Sequence, residues 1–428
     1  MSFLSFIRRI APSALGMIAL SCYILVDTFF VSLALGASGL AALNLSIAVF
    51  SAVSGVGQMI GVGGGTDFAL RCGEEKDPGA AFSAALRYGA YVSLVFMLIG
   101  LLFSRRLALF LGADDATLAM THVYIRMTLL FAPCHIFNAI LQAFVRNDHE
   151  PRLAMISMLI SSSANIVLDY VFMFPLGMGM FGAVLATGLS ALLSILALLT
   201  HFMRNASTLR PSRRRVSPHE MLRLLSYGLS ALIGELASAI SLMTFNLILM
   251  RIGGYIAVAA YGVIANAALV ASAIFTGVGQ GLQPLVSHAF GAGDAETLRA
   301  LKSHARSVSF MSGMLIFSFV FIFASSITAV FNHEGNPQLL SIASHGLRLY
   351  FAGYLFAGMN ITACALLSAA AQPGRALLLS LLRSCMLLIP AALILSAVFG
   401  ISGVWLSFTA TEAIVCALAL CFTMRLFA

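Results

Sequence analysis

Charge is scarce in this chain: 9% of its 428 residues are Asp, Glu, Lys or Arg, where a soluble domain carries about 25%. With 60% hydrophobic residues, a soluble globular protein is excluded. Proline is also sparse, at 11 residues, and the 36 glycines follow no G-X-Y period, which excludes a collagenous or disordered chain. No GxxxxGK[ST] stretch occurs, so ATP is not hydrolysed on a P-loop. The seven cysteines form no CxxC and no pairing with histidine at ligand spacing; they read as small core residues, not as metal or redox sites. The GxGD context of an intramembrane aspartyl protease is missing, and nothing else points to an enzyme or to a bound cofactor.

Long apolar runs fill the space that charge leaves. A bilayer core about 30 Å thick is crossed by about 20 apolar residues. Twelve runs qualify, over 12–35, 40–69, 81–103, 117–145, 151–173, 179–203, 224–250, 255–288, 305–331, 339–370, 376–399 and 402–427. The expected fold class is an all-α polytopic membrane protein of twelve transmembrane helices in two pseudo-symmetric six-helix lobes. Arg8 and Arg9 before the first run resemble a signal peptide, but the run continues past Asp27 into a second one, so it reads as an uncleaved span. The one long polar connection, 204–223, separates an N-lobe (1–203) from a C-lobe (224–428). The net charge of +8 is scattered over short connections, which leaves no nucleic-acid footprint. With a cytoplasmic N-terminus, 19 Lys and Arg, Arg383 among them, fall on the inner side and four (Arg105, Arg106, Arg251, Arg348) on the outer side. The positive-inside rule therefore places both termini and the 204–223 connection in the cytoplasm.

The halves repeat. Gly55-Val56-Gly57-Gln58 recurs as Gly277-Val278-Gly279-Gln280, and Arg126 with Asn138 recurs as Arg348 with Asn360, both at an offset of 222. Gly182 and Leu185 recur as Gly403 and Leu406 at 221. A six-helix unit inserts the same way round twice, the parallel-repeat arrangement of transporters.

A carboxylate in mid-span costs about 2.5–3.5 kcal/mol on the insertion scale, so each needs a reason. Five acids fall inside spans: Asp27, Asp67, Asp169, Glu235 and Glu412. Asp67 sits at the end of span two beside Gly63-Gly64-Gly65, where a helix-end role is expected. Asp27 comes 15 residues after Pro12, about 22 Å along the helix. Asp169 comes 18 residues after Pro151, and Thr187 about eight residues down span six, so all three reach a similar depth in the outer half of the first lobe. Asn165 and Asp169, at i and i+4, share one helix face. Asp27, Asn165, Asp169 and Thr187 would form an oxygen-rich cage able to hold Na⁺ or protons; a structural hydrogen-bond network is the alternative. In the second lobe, Glu235 and Glu412 are candidate cation or substrate contacts or partners of a nearby hydroxyl. Arg126 and Arg348 read as outer anchors that snorkel, and His135 as a core histidine. The Asn205-Ala206-Ser207 sequon is discounted because that segment faces the cytoplasm. The run Gly61 to Gly65 reads as close helix packing. Thirty-two Phe and 20 Met suit a cavity that accepts varied lipophilic cations.

Taken together, these residues resemble the multidrug and toxic compound extrusion (MATE) family along nearly the whole chain. The resemblance rests on Val26-Asp27-Thr28 in span one, the Gly-rich ends of spans two and eight, Gln283-Pro284-Leu285 and Gly291-Ala292-Gly293. Asp27, Asn165, Asp169 and Thr187 match the family's first-lobe cation site in type and spacing, and Pro12 matches its span-one proline, an expected helix-1 hinge. The resemblance implies antiport of organic cations or drugs against H⁺ or Na⁺ by alternating access, with a first-lobe cavity that narrows as drug leaves. It implies a monomer in the bacterial inner membrane, surrounded by lipid. Glu235 matches the span-seven acid of one branch, but span ten lacks that branch's Asp, so only the first-lobe site carries over. A flippase for lipid-linked or amphipathic molecules is the alternative from the same superfamily.

Overall fold

The computed structural model describes residues 2–203, 207–210, 212, 217–332 and 335–424, and among these it is helical without a strand. Arg204, Arg213, Arg214, Arg215, Arg425, Glu334 and the first two residues of the sequon lie outside the described residues. The spans are α1 (Phe3–Gly36), α2 (Ser38–Gly73), α3 (Gly79–Phe110), α4 (Leu118–Leu130 with Ala132–Asn147), α5 (Pro151–Met173) and α6 (Gly179–Met203). The second half consists of α7 (218–253), α8 (255–291), α9 (Ala295–Phe331), α10 (Pro337–Phe351 with Tyr354–Ala369), α11 (Pro373–Phe399) and α12 (Ile401–Met424). The expected twelve spans and the all-α class are thus observed.

The halves are built alike in their irregularities. α1 runs into α2 through Gly36 at φ 64°, ψ −155°, and α7 into α8 through Gly254 at φ 64°, ψ −159°. At this positive φ a side chain would be strained, and glycine alone adopts it freely. α4 bends by 48° and α10 by 49°. Pro151 and Pro373, which open α5 and α11, supply a first-turn residue whose missing N–H leaves no bond unmade.

Helices overrun the apolar segments because capping and polar turns fix their ends, not hydropathy. α1 starts at Phe3, where Ser2 accepts from the Ser5 amide at 3.3 Å, and not at Pro12. α7 starts at Pro218, inside the stretch expected to be a linker. There Ser217 and Glu220 form a reciprocal capping box, with Oγ accepting from the Glu220 amide at 3.2 Å and Oε2 from the Ser217 amide at 3.0 Å. Midway along the linker, the Ser212 amide donates to Ser83 Oγ of α3 at 2.8 Å.

Each half has its own apolar core. In the first, Phe68, Phe82, Phe144, Ile136 and Ile140 pack together; in the second, Phe245, Tyr261, Phe351, Tyr354 and Trp405 do so. Bands of exposed Leu94, Leu98, Leu101 and Leu102 on α3, and of Leu315, Phe319 and Ile322 on α9, face outward as a lipid-contacting surface must.

The halves meet where α1 begins, α2 ends, α7 begins and α8 ends, termed here the linker end. A Cβ on Gly228 of α7 would stand 1.9 Å from the Met59 carbonyl oxygen of α2, and one on Gly63 would stand 2.1 Å from that of Leu224. A Cβ on Gly277 or Gly281 of α8 would stand 2.4 Å from Ala14 Cα or 2.8 Å from Ile10 Cα of α1, and Gly73 of α2 meets the α8 backbone beside Gly291. Backbones this close gain dispersion over a long seam without side chains between them. Gln283 locks the crossing by donating to the Val62 carbonyl at 3.0 Å and to Thr66 Oγ1 at 2.9 Å. Asp67, expected at a helix end, bridges the halves: Arg71 Nε holds one oxygen at 2.7 Å and Arg223 Nη2 the other at 3.1 Å. Glu220 reaches Arg71 Nη2 at 3.4 Å.

Candidate functional site

The first half brings Asp27, Asn165, Asp169 and Thr187 together. α1 supplies Asp27 nine residues before its break at Gly36, α5 supplies Asn165 and Asp169 on one face, and α6 supplies Thr187 eight residues after Gly179. All four are buried, with Asn165 and Asp169 at 0% exposure. Asn165 Nδ2 donates to Thr187 Oγ1 at 3.4 Å, and that hydroxyl donates to the Ala183 carbonyl at 3.1 Å. The Asp27 and Asp169 carboxyls lie within hydrogen-bonding reach of each other. Four acceptors, Asp27 Oδ1, Asn165 Oδ1 and both Asp169 oxygens, have no donor among the described residues. Tyr23 and Tyr124 lie close enough to feel both carboxylates. Buried acceptors without donors are expensive, and a proton between carboxyls or a hard cation among the oxygens would satisfy them. The donor set fits either.

The large cavity lies elsewhere. About 460 Å³ in volume, it is enclosed by α7, α8, α10, α11 and α12, with Gln58 and Val62 of α2 closing one wall. Asp27, Asn165, Asp169 and Thr187 do not line this cavity, which belongs almost wholly to the second half. Its wall mixes the aromatic rings of Phe245, Tyr261, Tyr350, Tyr354 and Phe408 with serine hydroxyls, Gln280, Glu235, Arg383 and Glu412. Glu412 does not pair with a hydroxyl. Its Oε1 accepts from Arg383 Nη2 at 2.7 Å and its Oε2 from Asn360 Nδ2 at 2.6 Å, while that Nδ2 also reaches the Glu412 carbonyl at 2.8 Å. Glu235 lines the cavity beside Gly55 of α2.

Arg383 is the residue whose placement changes most. Counted from sequence with the inner-side anchors, it lies ten residues past the start of α11 at Pro373, about 15 Å along the helix. Here α11 widens into a π-turn over Leu382–Met386, with the Leu387 amide reaching back to the Leu382 carbonyl at 3.0 Å. Pro390 has no amide hydrogen for the Met386 carbonyl four residues earlier, and the local widening accommodates that loss. Without Arg383 the basic asymmetry is 18 to 4, so its sign is unchanged.

A family model described as MatE matches residues 12–171 and 231–394, both halves of the repeat. The chain belongs to the MatE family. Its relatives include the multidrug export protein MepA of Staphylococcus aureus, 27% identical over 412 residues, which span 95% of this chain and 90% of MepA. MepA of Staphylococcus saprophyticus is 25% identical over 414 residues, with the same coverage. A MATE in complex with MaL6 and an outward-facing multidrug resistance MATE family transporter of the MOP superfamily share the fold, each at a TM-score of 0.92. They are 22% and 23% identical and cover 98% of this chain and 95% of theirs.

In this MatE-family chain α1 stays helical through the buried Pro12 and leaves helical geometry only at Gly36. Arg126 and Arg348 are exposed, and Arg348 lies 5.7 Å over the Phe321 ring. His135 packs edge-on against Phe50 at 5.5 Å. The seven cysteines are free, and no cluster of His, Cys, Asp and Glu suited to a metal occurs among the described residues.

Proposed function

We propose that this MatE-family chain is a secondary active antiporter that exports organic cations or drugs in exchange for H⁺ or Na⁺, by alternating access between its two lobes, 1–203 and 224–428, joined by the 204–223 linker. The four donorless oxygens of Asp27, Asn165 and Asp169, buried in a membrane-spanning half, carry this reading. Two adjacent carboxylates repel when ionised and accept one another when a proton or Na⁺ sits between them, so the cluster has a loaded and an empty state of different shape. Antiport requires that cargo affinity differ between those states. The cavity of the second half, walled by rings and carboxylates, suits organic cations, and MepA, alike over nearly its full length, is a multidrug export protein. The positive-inside asymmetry sets both termini in the cytoplasm of a bacterial cell, with the linker end sealed inward and export outward. Arg383 leaves the cavity without net positive charge because Glu412 neutralises it, which disfavours an anionic lipid-linked cargo.

Efflux of a fluorescent organic cation from everted vesicles, driven by a pH gradient alone and then by a Na⁺ gradient alone, tests the proposal and names the ion. Uphill movement under at least one gradient is expected; downhill leakage only, insensitive to both, refutes it.

A further inference from the structure

The halves part company at one place where the repeat would have them match. Buried Ser93, Gly100, Ser104 and Ala108 of α3 recur on α9 as buried Gly313, Val320, Ala324 and Thr328, a shift of 220. At that shift Phe82 and Leu86 of α3 correspond to Lys302 and Arg306 of α9. Leu141 and Phe144 of α4 correspond to Ala363 and Leu366 of α10 at 222, and Leu198 and Phe202 of α6 to Ala419 and Thr423 of α12 at 221. In the first half the large side chains fill the space between their helices. The Phe82 ring lies 5.0 Å from that of Phe144 and 5.8 Å from that of Phe202, and Leu209 of the linker is buried in the same cluster. In the second half the smaller Ala363, Ala419 and Thr423 leave a cleft of about 70 Å³ between α9, α10 and α12, with Lys302 and Arg306 at its wall.

The cleft is apolar below and cationic above. Arg299, Lys302 and Arg306 stand at i, i+3 and i+7 on one face of α9, and Lys302 is close enough to feel the other two. Lys302 Nζ donates to the Thr423 carbonyl at 3.4 Å. Arg299 and Arg306 are exposed and make no hydrogen bond or ion pair among the described residues, and no acid lines the cleft. Like charges at this spacing oppose one another, and an anion beside them relieves that repulsion. The 37 residues of α9 extend about 55 Å against a hydrocarbon layer about 30 Å thick, so its first turns stand at headgroup level. Beyond Arg306, α9 exposes Phe310, Met311, Met314 and Leu315, and α12 exposes Leu418 and Met424. These apolar faces flank the cleft on its lipid side.

We propose that this cleft is a binding site for an anionic glycerophospholipid of the inner leaflet. Its phosphate sits on Lys302 and Arg306, with Arg299 adding charge, and an acyl chain starts in the cleft and continues along the exposed faces of α9 and α12. A basic pocket between spanning helices on the cytoplasmic side suits such a headgroup. The lipid fills in the second half the place that Phe82, Phe202 and Leu209 fill in the first. The proposal needs the orientation with the linker end inward and is independent of the antiport reading.

The test counts bound lipid. Purified full-length protein is offered phosphatidylglycerol and phosphatidylcholine with identical acyl chains, and retention is read by native mass spectrometry. The wild type is expected to hold one phosphatidylglycerol at least tenfold more tightly than phosphatidylcholine. Arg306→Gln, at an exposed side chain, should lower that preference at least threefold, and Lys302→Gln/Arg306→Gln should abolish it. Arg152→Gln, exposed at the same end on α5, should leave it unchanged. Ala363→Leu, which installs the first-half residue and keeps every cation, should weaken phosphatidylglycerol about tenfold. Equal retention of the two lipids by the wild type overturns the proposal. So does an equal loss in Arg152→Gln and Arg306→Gln, the pattern of a general attraction between anionic lipid and basic loops. Displacement of the lipid by an equal concentration of glycerol phosphate would reduce the cleft to a phosphate site, and unaltered binding in Ala363→Leu would remove the acyl chain from it; either outcome refutes the lipid assignment.

Discussion

Replacing Gly228 by alanine probes the crossing on which alternating access would depend. The new Cβ would meet three backbone atoms of Met59, at 1.9, 2.7 and 2.9 Å from its oxygen, carbon and Cα. None of these can swing aside as a side-chain tip could, so α2 and α7 must part by about 1.5 Å to restore ordinary contact near 3.4 Å. Overpacking of this kind costs about 1–3 kcal/mol. Charged only to the arrangement in which the linker end is shut, a mid-range 2 kcal/mol shifts the ratio of shut to parted molecules about 30-fold. Spin labels at Lys76 and Leu222, in a cysteine-free background, flank the crossing and should report a longer inter-label distance in Gly228→Ala than in the wild type. Gly262→Ala is the control, since no atom lies within 4 Å of the added Cβ, and its distances should match the wild type. A folded Gly228→Ala protein with wild-type distances and efflux would refute the idea that this contact holds the end shut.

Asp27→Asn and Asp169→Asn should each abolish gradient-driven efflux while the purified proteins stay folded, because an amide can be buried there but cannot cycle a cation; wild-type efflux in either variant sinks the coupling role. Asp67→Ala, which leaves the buried Arg71 only its 3.4 Å contact with Glu220, should cost about 3 kcal/mol on thermal unfolding, whereas Arg223→Gln, at a side chain that is itself half exposed, should cost at most about 1 kcal/mol; equal losses would show that the bridge does not act through Asp67. A cysteine at Asp114 should react with an impermeant thiol reagent in intact cells and one at Ser212 should not, and the reverse pattern would invert the proposed topology.

Twelve spans and their repeat were legible because apolar length and basic asymmetry are properties of local sequence. The first-half cluster was legible for a related reason: Asp27, Asp169 and Thr187 can be ranked by depth with a fixed rise per residue, and equal depth on neighbouring helices brings side chains together. The run Gly61 to Gly65 was also legible as packing, since Gly61 meets Ala139, Gly63 meets Leu224 and Gly64 meets Phe144. Other features needed the fold. Arg383 was counted with the inner-side anchors, and the partner that lets it lie within the span stands 29 positions away on another helix. Two signals pointed inward: Arg383 fell inside the run 376–399, and Pro390 marked an irregular helix just beyond it. The cavity's place in the second half had no sequence signal, because Phe and Ser lining a cavity are indistinguishable from Phe and Ser packed in a core. The union of Asp67 with Arg223 across 156 positions was hidden for the same reason as that of Arg383.

The carboxylate cluster and the cavity share no residue, since α2 alone carries the first half into the cavity wall through Gln58 and Val62. In the exchange proposed above, cargo and ion therefore never contend for one ligand. The count of ions per cycle is then set by Asp27 and Asp169, whatever charge the cargo brings. A singly charged amine swapped for one ion moves no net charge across the bilayer, whereas a cargo with no net charge moves one. Each unit of charge is worth about 2.3 kcal/mol per 100 mV, so membrane voltage would drive the second exchange and leave the first untouched.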